Sequence, residues 1–128
     1  MPTAIVPPSL SRSVEDWRMS PGLEHGGFVF LTGVTGASPD GALPDGAEAQ
    51  IRAAFAKVGA VLEEAGLGFG HVVEMTSYHV GLRGHLPLFR RVRDEHVAEP
   101  YPAWTAIEVA GFVHPGAIVE LRAIARRN

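Results

Sequence analysis

The sequence predicts an α+β domain, a single sheet of about six strands with two helices packed on one face. Three observations carry this. A central segment, 51–65, repeats its apolar residues at the three- and four-residue spacing of a helix. A second helical segment, about 86–97, follows a β-prone run. The chain then closes with two alternating segments, each with one simple apolar face and one mixed face. The order is strand, helix, strand, helix, strand, strand after an N-terminal strand or hairpin, which sets both helices on the same side of one sheet.

Each element has its own justification. Residues 1–12 are rich in Pro and Ser and read as a surface segment. Phe28-Val29-Phe30-Leu31-Thr32, closed by Gly33, is a short buried strand. Residues 34–46 carry Gly36, Pro39-Asp40-Gly41, Pro44 and Asp45-Gly46, the turn chemistry of a loop. Ile51, Ala54, Phe55, Val58, Val61, Leu62 and Ala65 form the apolar stripe of the first helix, with Asp45 as N-cap and Gly66 as the left-handed residue beyond its end. Val72–Val80 is a strand rich in Val, Thr and Tyr. Leu86, Phe89, Val92 and His96 mark the second helix, whose exit is bracketed by Pro100 and Pro102.

The last strands are 103–110 and 117–125. In the first, Thr105, Ile107 and Val109 share one face, and Trp104, Ala106 and Glu108 the other. In the second, Val119, Leu121 and Ala123 oppose Ile118, Glu120, Arg122 and Ile124. The simple faces suit packing under the helices. The mixed faces are left uncovered, and Trp104 and Ile118 there argue for coverage by another subunit.

Bulk properties narrow the function. A chain of 128 residues is one domain, 1–128, burying roughly two thirds of its unfolded surface. With 46% hydrophobic and 20% charged residues, it is not a disordered segment. A formal net charge of −3 gives no electrostatic footprint for nucleic acid. The absence of cysteine removes disulfides, thiolate catalysis and cysteine zinc sites. No segment approaches the ~20 apolar residues of a membrane span, and residues 1–8 lack a signal-peptide pattern, so a cytoplasmic protein is expected. No histidine pair shows a metal spacing such as HExxH, although His79 and His85 flank a loop and could meet. Ser20 and Ser77 have no evident triad, and the glycines form neither GxGxxG nor a P-loop.

Two stretches carry a resemblance. Pro102-Ala103-Trp104-Thr105 and the strand around Val119-Glu120-Leu121 resemble the signature of the RidA/YjgF family of imine deaminases, also called the endoribonuclease L-PSP family. Gly26–Gly33, Val58–Gly66 and His71–Thr76 are similar to further pieces of that family in the same order. The resemblance covers about residues 18–125. It implies the RidA-like fold, a homotrimer whose sheets form a central barrel, small-molecule pockets at the subunit interfaces, and no cofactor or metal.

It also implies roles. Glu120 stands where the family's glutamate holds the attacking water, as a general base; its other reading is an ion pair with a neighbouring subunit. Trp104 stands where the family's arginine grips a substrate carboxylate. It either stacks on a ligand, plugs the pocket or packs an interface. Met19 falls near the family's pocket tyrosine and Pro87 near its asparagine. Gly33, Thr105 and Ala106 would supply main-chain groups, and Tyr101 lines the cleft or packs. Arg122, on the face of Glu120, is either a relocated anion contact or a salt-bridge partner, and Glu108 is structural. Losing a bidentate arginine–carboxylate pair costs at least about tenfold in binding. The resemblance therefore implies an imine or enamine hydrolase of altered substrate range. The competing reading is a non-catalytic binding trimer, and ribonuclease action is least compatible with the charge.

Overall fold

The computed structural model describes all 128 residues. Its strands are β1 (Thr3–Ile5), β2 (Gly22–His25), β3 (Phe28–Leu31), β4 (Val72–His79), β5 (Ala103–Glu108) and β6 (Val119–Arg126). Its helices are α1 (Ser11–Trp17), α2 (Ala47–Glu64) and α3 (Leu82–Asp94), with 3₁₀ turns at Pro8–Leu10 and Phe69–His71. The strands form one open sheet in the order β1-β2-β3-β6-β4-β5. Only β4 and β5 run parallel, and α3 makes the crossover that such a pair requires.

The two long helices lie on one face, as the sequence pattern requires. Ile51, Ala54, Phe55, Val58, Val61 and Leu62 of α2 are buried with Phe89 and Val92 of α3. Against them pack Val29 and Leu31 of β3, Met75 of β4, and Val119, Leu121, Ala123 and Ala125 of β6. Truncating one of these, such as Leu62, to alanine would cost about 2–5 kcal/mol. At the end of α2, Gly66 takes φ +75°, Gly66 N–H donates to the Glu63 carbonyl, and Leu67 N–H donates to that of Leu62. That closure needs a left-handed residue, which glycine supplies without strain.

Several expectations need correction. A third helix, the seven-residue α1, occupies part of the N-terminal segment. The N-cap of α2 is Gly46, with no side-chain cap, so Asp45 does not fill that role. The second helix begins at Leu82, four residues before Leu86, and ends at Asp94. Its first turn is held from a distance: Glu108 accepts hydrogen bonds from the Gly81 and Leu82 N–H groups at 2.9 and 2.7 Å. A cap arriving from another strand leaves no local signal at residues 82–85. His96 lies past the helix but stacks on Phe55, with ring centroids 4.6 Å apart. The last strands are shorter than 103–110 or later than 117–125.

The largest correction concerns faces. Met75 pairs with Trp104 and Ser77 with Ala106, and both β4 residues are buried on the helix side. Trp104, Ala106 and Glu108 are therefore on the helix side, and Thr105 and Ile107 face away. Ile118 precedes β6 and packs against the core. The uncovered face carries other apolar groups: Leu23, Phe28, Phe30 and Ile107, each between 37 and 41% exposed.

Candidate functional site

β6 and the loop after β3 bring Glu120 to the wall of a cleft. The loop is pinned by two backbone hydrogen bonds between Val34 and Leu121, 2.9 and 2.8 Å long. This sets Gly33 against the Glu120 carboxylate so closely that a Cβ at residue 33 would lie 2.7 Å from Glu120 Oε2. Only glycine leaves the carboxylate where it is. The cleft, about 210 Å³, is walled by α1 and its preceding turn, loop 33–39, Lys57 of α2, Val113 and His114. Met19 stands on its rim with Trp17.

Glu120 is half-buried and makes no hydrogen bond or ion pair within the chain, and burial raises its pKa. Lys57 shares the cleft. It donates to the Ala37 carbonyl, has no carboxylate partner, and burial lowers its pKa. The charged pair Arg12–Asp16, 3.1 Å apart, closes the outer edge. A carboxylate with a raised pKa, unpaired and open to a cleft, is chemically able to take a proton from a molecule in that cleft.

Arg122 shares the face of Glu120 but forms no ion pair with it. It is exposed and borders a shallow groove with Met19, Ser20, Leu23, Phe30 and Thr32. That groove and the Glu120 cleft share Met19 and Gly33. Thr105 is exposed, Ala106 half-buried, and Tyr101 64% exposed and so packed against little.

Trp104 has a different setting. Its indole N–H donates to Ser77 Oγ at 2.9 Å. Ser77 Oγ lies 2.8 Å from His79 Nε2, and His79 Nδ1 lies 3.0 Å from His85 Nε2. An indole nitrogen only donates. Ser77 Oγ therefore accepts from Trp104 and shares a second hydrogen bond with His79 Nε2, and His79 Nδ1 shares one with His85 Nε2. Burial, and then the charge of His85, push the His79 pKa down to about 4, against the opposing effect of Glu108. The indole ring stacks on Phe89, with centroids 5.8 Å apart, and the Arg93 guanidinium sits 4.3 Å from its centre.

Glu120 and Trp104, expected on one mixed face, thus lie on opposite sides of the sheet in one chain. The structure brings Gly33, Glu120 and Met19 together. It does not bring Trp104, Thr105 or Ala106 to them. Sequence reasoning missed Lys57, the α1 wall, the Ser77–His79–His85 chain and Arg93. Lys57 and Arg93 have no local signature, whereas Ser77, His79 and His85 are near neighbours in sequence and what was missed there is the link through Ser77 to Trp104. His79 and His85 do meet, but no third ligand joins them, and no group of three His, Cys, Asp or Glu could hold a metal ion. No helix is long and apolar enough to cross a membrane.

Known proteins resemble this chain over nearly its whole length. The family model for Endoribonuclease L-PSP matches residues 14–127. The RutC family protein YjgH of Escherichia coli is 30% identical over 125 residues, covering 97% of this chain and 94% of that protein. Its solved structure superposes with a TM-score of 0.88 over 98% of this chain and 95% of that one. RidA from the Antarctic bacterium Psychrobacter is 26% identical, with a TM-score of 0.78 over 97% and 95% of the two chains. E. coli TdcF with bound serine is 28% identical, with a TM-score of 0.74 over 86% and 88%.

Proposed function

The chain belongs to the endoribonuclease L-PSP family, the RidA/YjgF family of the sequence resemblance, and from that premise we propose that it hydrolyses small imines or enamines and releases ammonia. The observation that carries this is Glu120, an unpaired, half-buried carboxylate of raised pKa held against Gly33 at the wall of a cleft. Water held by Glu120 adds to the imine carbon, and Glu120 takes the water proton. The proton passes to nitrogen and gives a carbinolamine; Glu120 then takes the proton of its hydroxyl and returns it to nitrogen as the C–N bond breaks, so that ammonia leaves and a carbonyl compound remains. No cofactor takes part, and a cytoplasmic setting belongs to the same reading.

A homotrimer is part of the proposal. Leu23, Phe28, Phe30 and Ile107 leave an apolar sheet face for neighbouring copies to cover. Trp104 lies on the edge strand β5, and the proposal sets that edge beside the Glu120 cleft of a neighbour. TdcF carries bound serine, which supports an amino-acid-derived ligand. With Trp104 in place of the arginine, the substrate range differs from that of the family.

One observation favours the alternative, a ligand-binding trimer without turnover. The single donor of Trp104 is already spent on Ser77, so the indole offers a ligand no hydrogen bond. Ammonia release from imines generated in situ by an amino-acid oxidase, across small and aromatic amino acids, separates the two. Acceleration over the uncatalysed reaction supports the hydrolase. Saturable binding with no acceleration supports the binder.

A further inference from the structure

We infer that Arg93, set against Trp104 at the α3–β5 edge, anchors the carboxylate of a small ligand; its place in the ligand site rests on the interface pocket proposed above. Arg93 is only 8% exposed. Its Nε is buried without a hydrogen-bond partner, and no carboxylate of the chain comes within ion-pair distance. Its surroundings do not neutralise it. Burial works most against its charge, Asp94 favours it and Arg90 opposes it. The other glutamates near this end of α3 are engaged elsewhere: Glu95 and Glu48 with Arg52, and Glu48 also with Arg91. A buried guanidinium nitrogen without a partner is costly, and an anion from outside the chain would satisfy it.

The shelf beneath it is built rather than incidental. Trp104 is held on one side by Phe89 and fixed in rotation by its N–H to Ser77, which is itself fixed by His79 and His85. The Arg93 Cζ sits 4.3 Å from the indole centre, and a guanidinium carries its N–H donors as a planar fork. That arrangement suits a planar carboxylate approaching edge-on. β5 is the last strand of the sheet, so this edge is open to a ligand or a neighbouring copy. The cation that Trp104 itself cannot supply comes from the helix above it.

The test uses the full ¹⁵N-labelled chain, which has two tryptophans and hence two indole resonances, assigned with Trp17→Phe. Benzoate and its neutral counterpart benzamide are titrated while the Trp104 indole signal is followed, and light scattering reports assembly. Benzoate should shift the Trp104 signal saturably and benzamide should not. Arg93→Gln should weaken benzoate at least about tenfold, the cost of a charged hydrogen-bonded contact, and Arg93→Lys should recover part of it. Arg93-dependent binding without ammonia release would sink the proposed hydrolase and leave this inference standing. Equal benzoate affinity in wild type and Arg93→Gln overturns it. So does an Arg93→Gln chain whose assembly changes while its benzoate affinity does not, since the counter-ion is then a neighbouring copy's carboxylate.

Discussion

Glu108 and Glu120 flank β4 at adjacent registers, opposite His79 and Tyr78, yet they meet opposite fates. On the helix side, Glu108 accepts two backbone N–H groups at the start of α3, and those bonds hold its pKa below the usual value. Beside it, Trp104, Ser77, His79 and His85 are joined donor to acceptor in one chain. On the other side of the sheet, Glu120 has no partner, and burial moves its pKa the other way. Lys57 in the same cleft also lacks a carboxylate. The closed region shows how the fold satisfies polar groups it needs for structure. The open region is where satisfaction has been withheld, and withheld partners mark a site that receives something. Arg93 is the exception on the closed side.

The contrast can be broken at several points, the largest first. Ser77→Ala leaves both the Trp104 N–H and His79 Nε2 buried without partners and should cost about 2–5 kcal/mol in chemical denaturation. A loss under ~1 kcal/mol would mean the chain of hydrogen bonds does not hold Trp104. The pH dependence tests the same region without mutation. The folded pKa of His79, about 4, lies below its usual 6.5, so the unfolded chain takes up the proton first. Stability contributed by neutral His79 should be full above about pH 6.5, fall as the pH drops toward 4, and stop falling from this source below that. His79→Gln should flatten that part of the stability curve.

On the open side, Gly33→Ala places a methyl against the Glu120 carboxylate and should slow turnover about 10- to 100-fold by displacing it. Melting should move far less than turnover. Glu108→Ala should lower the melting temperature by several degrees, with fraying at Leu82 visible in amide exchange. Unchanged melting and exchange would remove the assignment of Glu108 as the cap of α3.

The sequence made the helix-side core legible because burial there is periodic. The stripe from Ile51 to Leu62 and the run Val119, Leu121, Ala123 state their face by spacing alone. It misplaced β5 because Trp104 alternates with Ala106 and Glu108, a set that looks like a mixed outer face. The reason Glu108 faces the helices is a contact with Gly81 and Leu82, 26–27 residues away, and the reason Trp104 does is a slot between Ser77 and Arg93. Neither distance is visible to a periodicity argument. Glu120 and Gly33 were legible through the family resemblance. Lys57 and Arg93 were not, since a charged residue on a helix is more often a solvated one and only the fold shows these two enclosed.

The most direct measurement takes Glu120→Gln and follows melting and ammonia release on the same preparation. If Glu120 is held unpaired for chemistry, the neutral amide should leave the melting temperature equal or slightly raised, a stability gain of less than ~1 kcal/mol, while turnover falls about 10²–10⁴-fold. A variant that melts earlier and keeps its turnover would show Glu120 to be a structural carboxylate like Glu108.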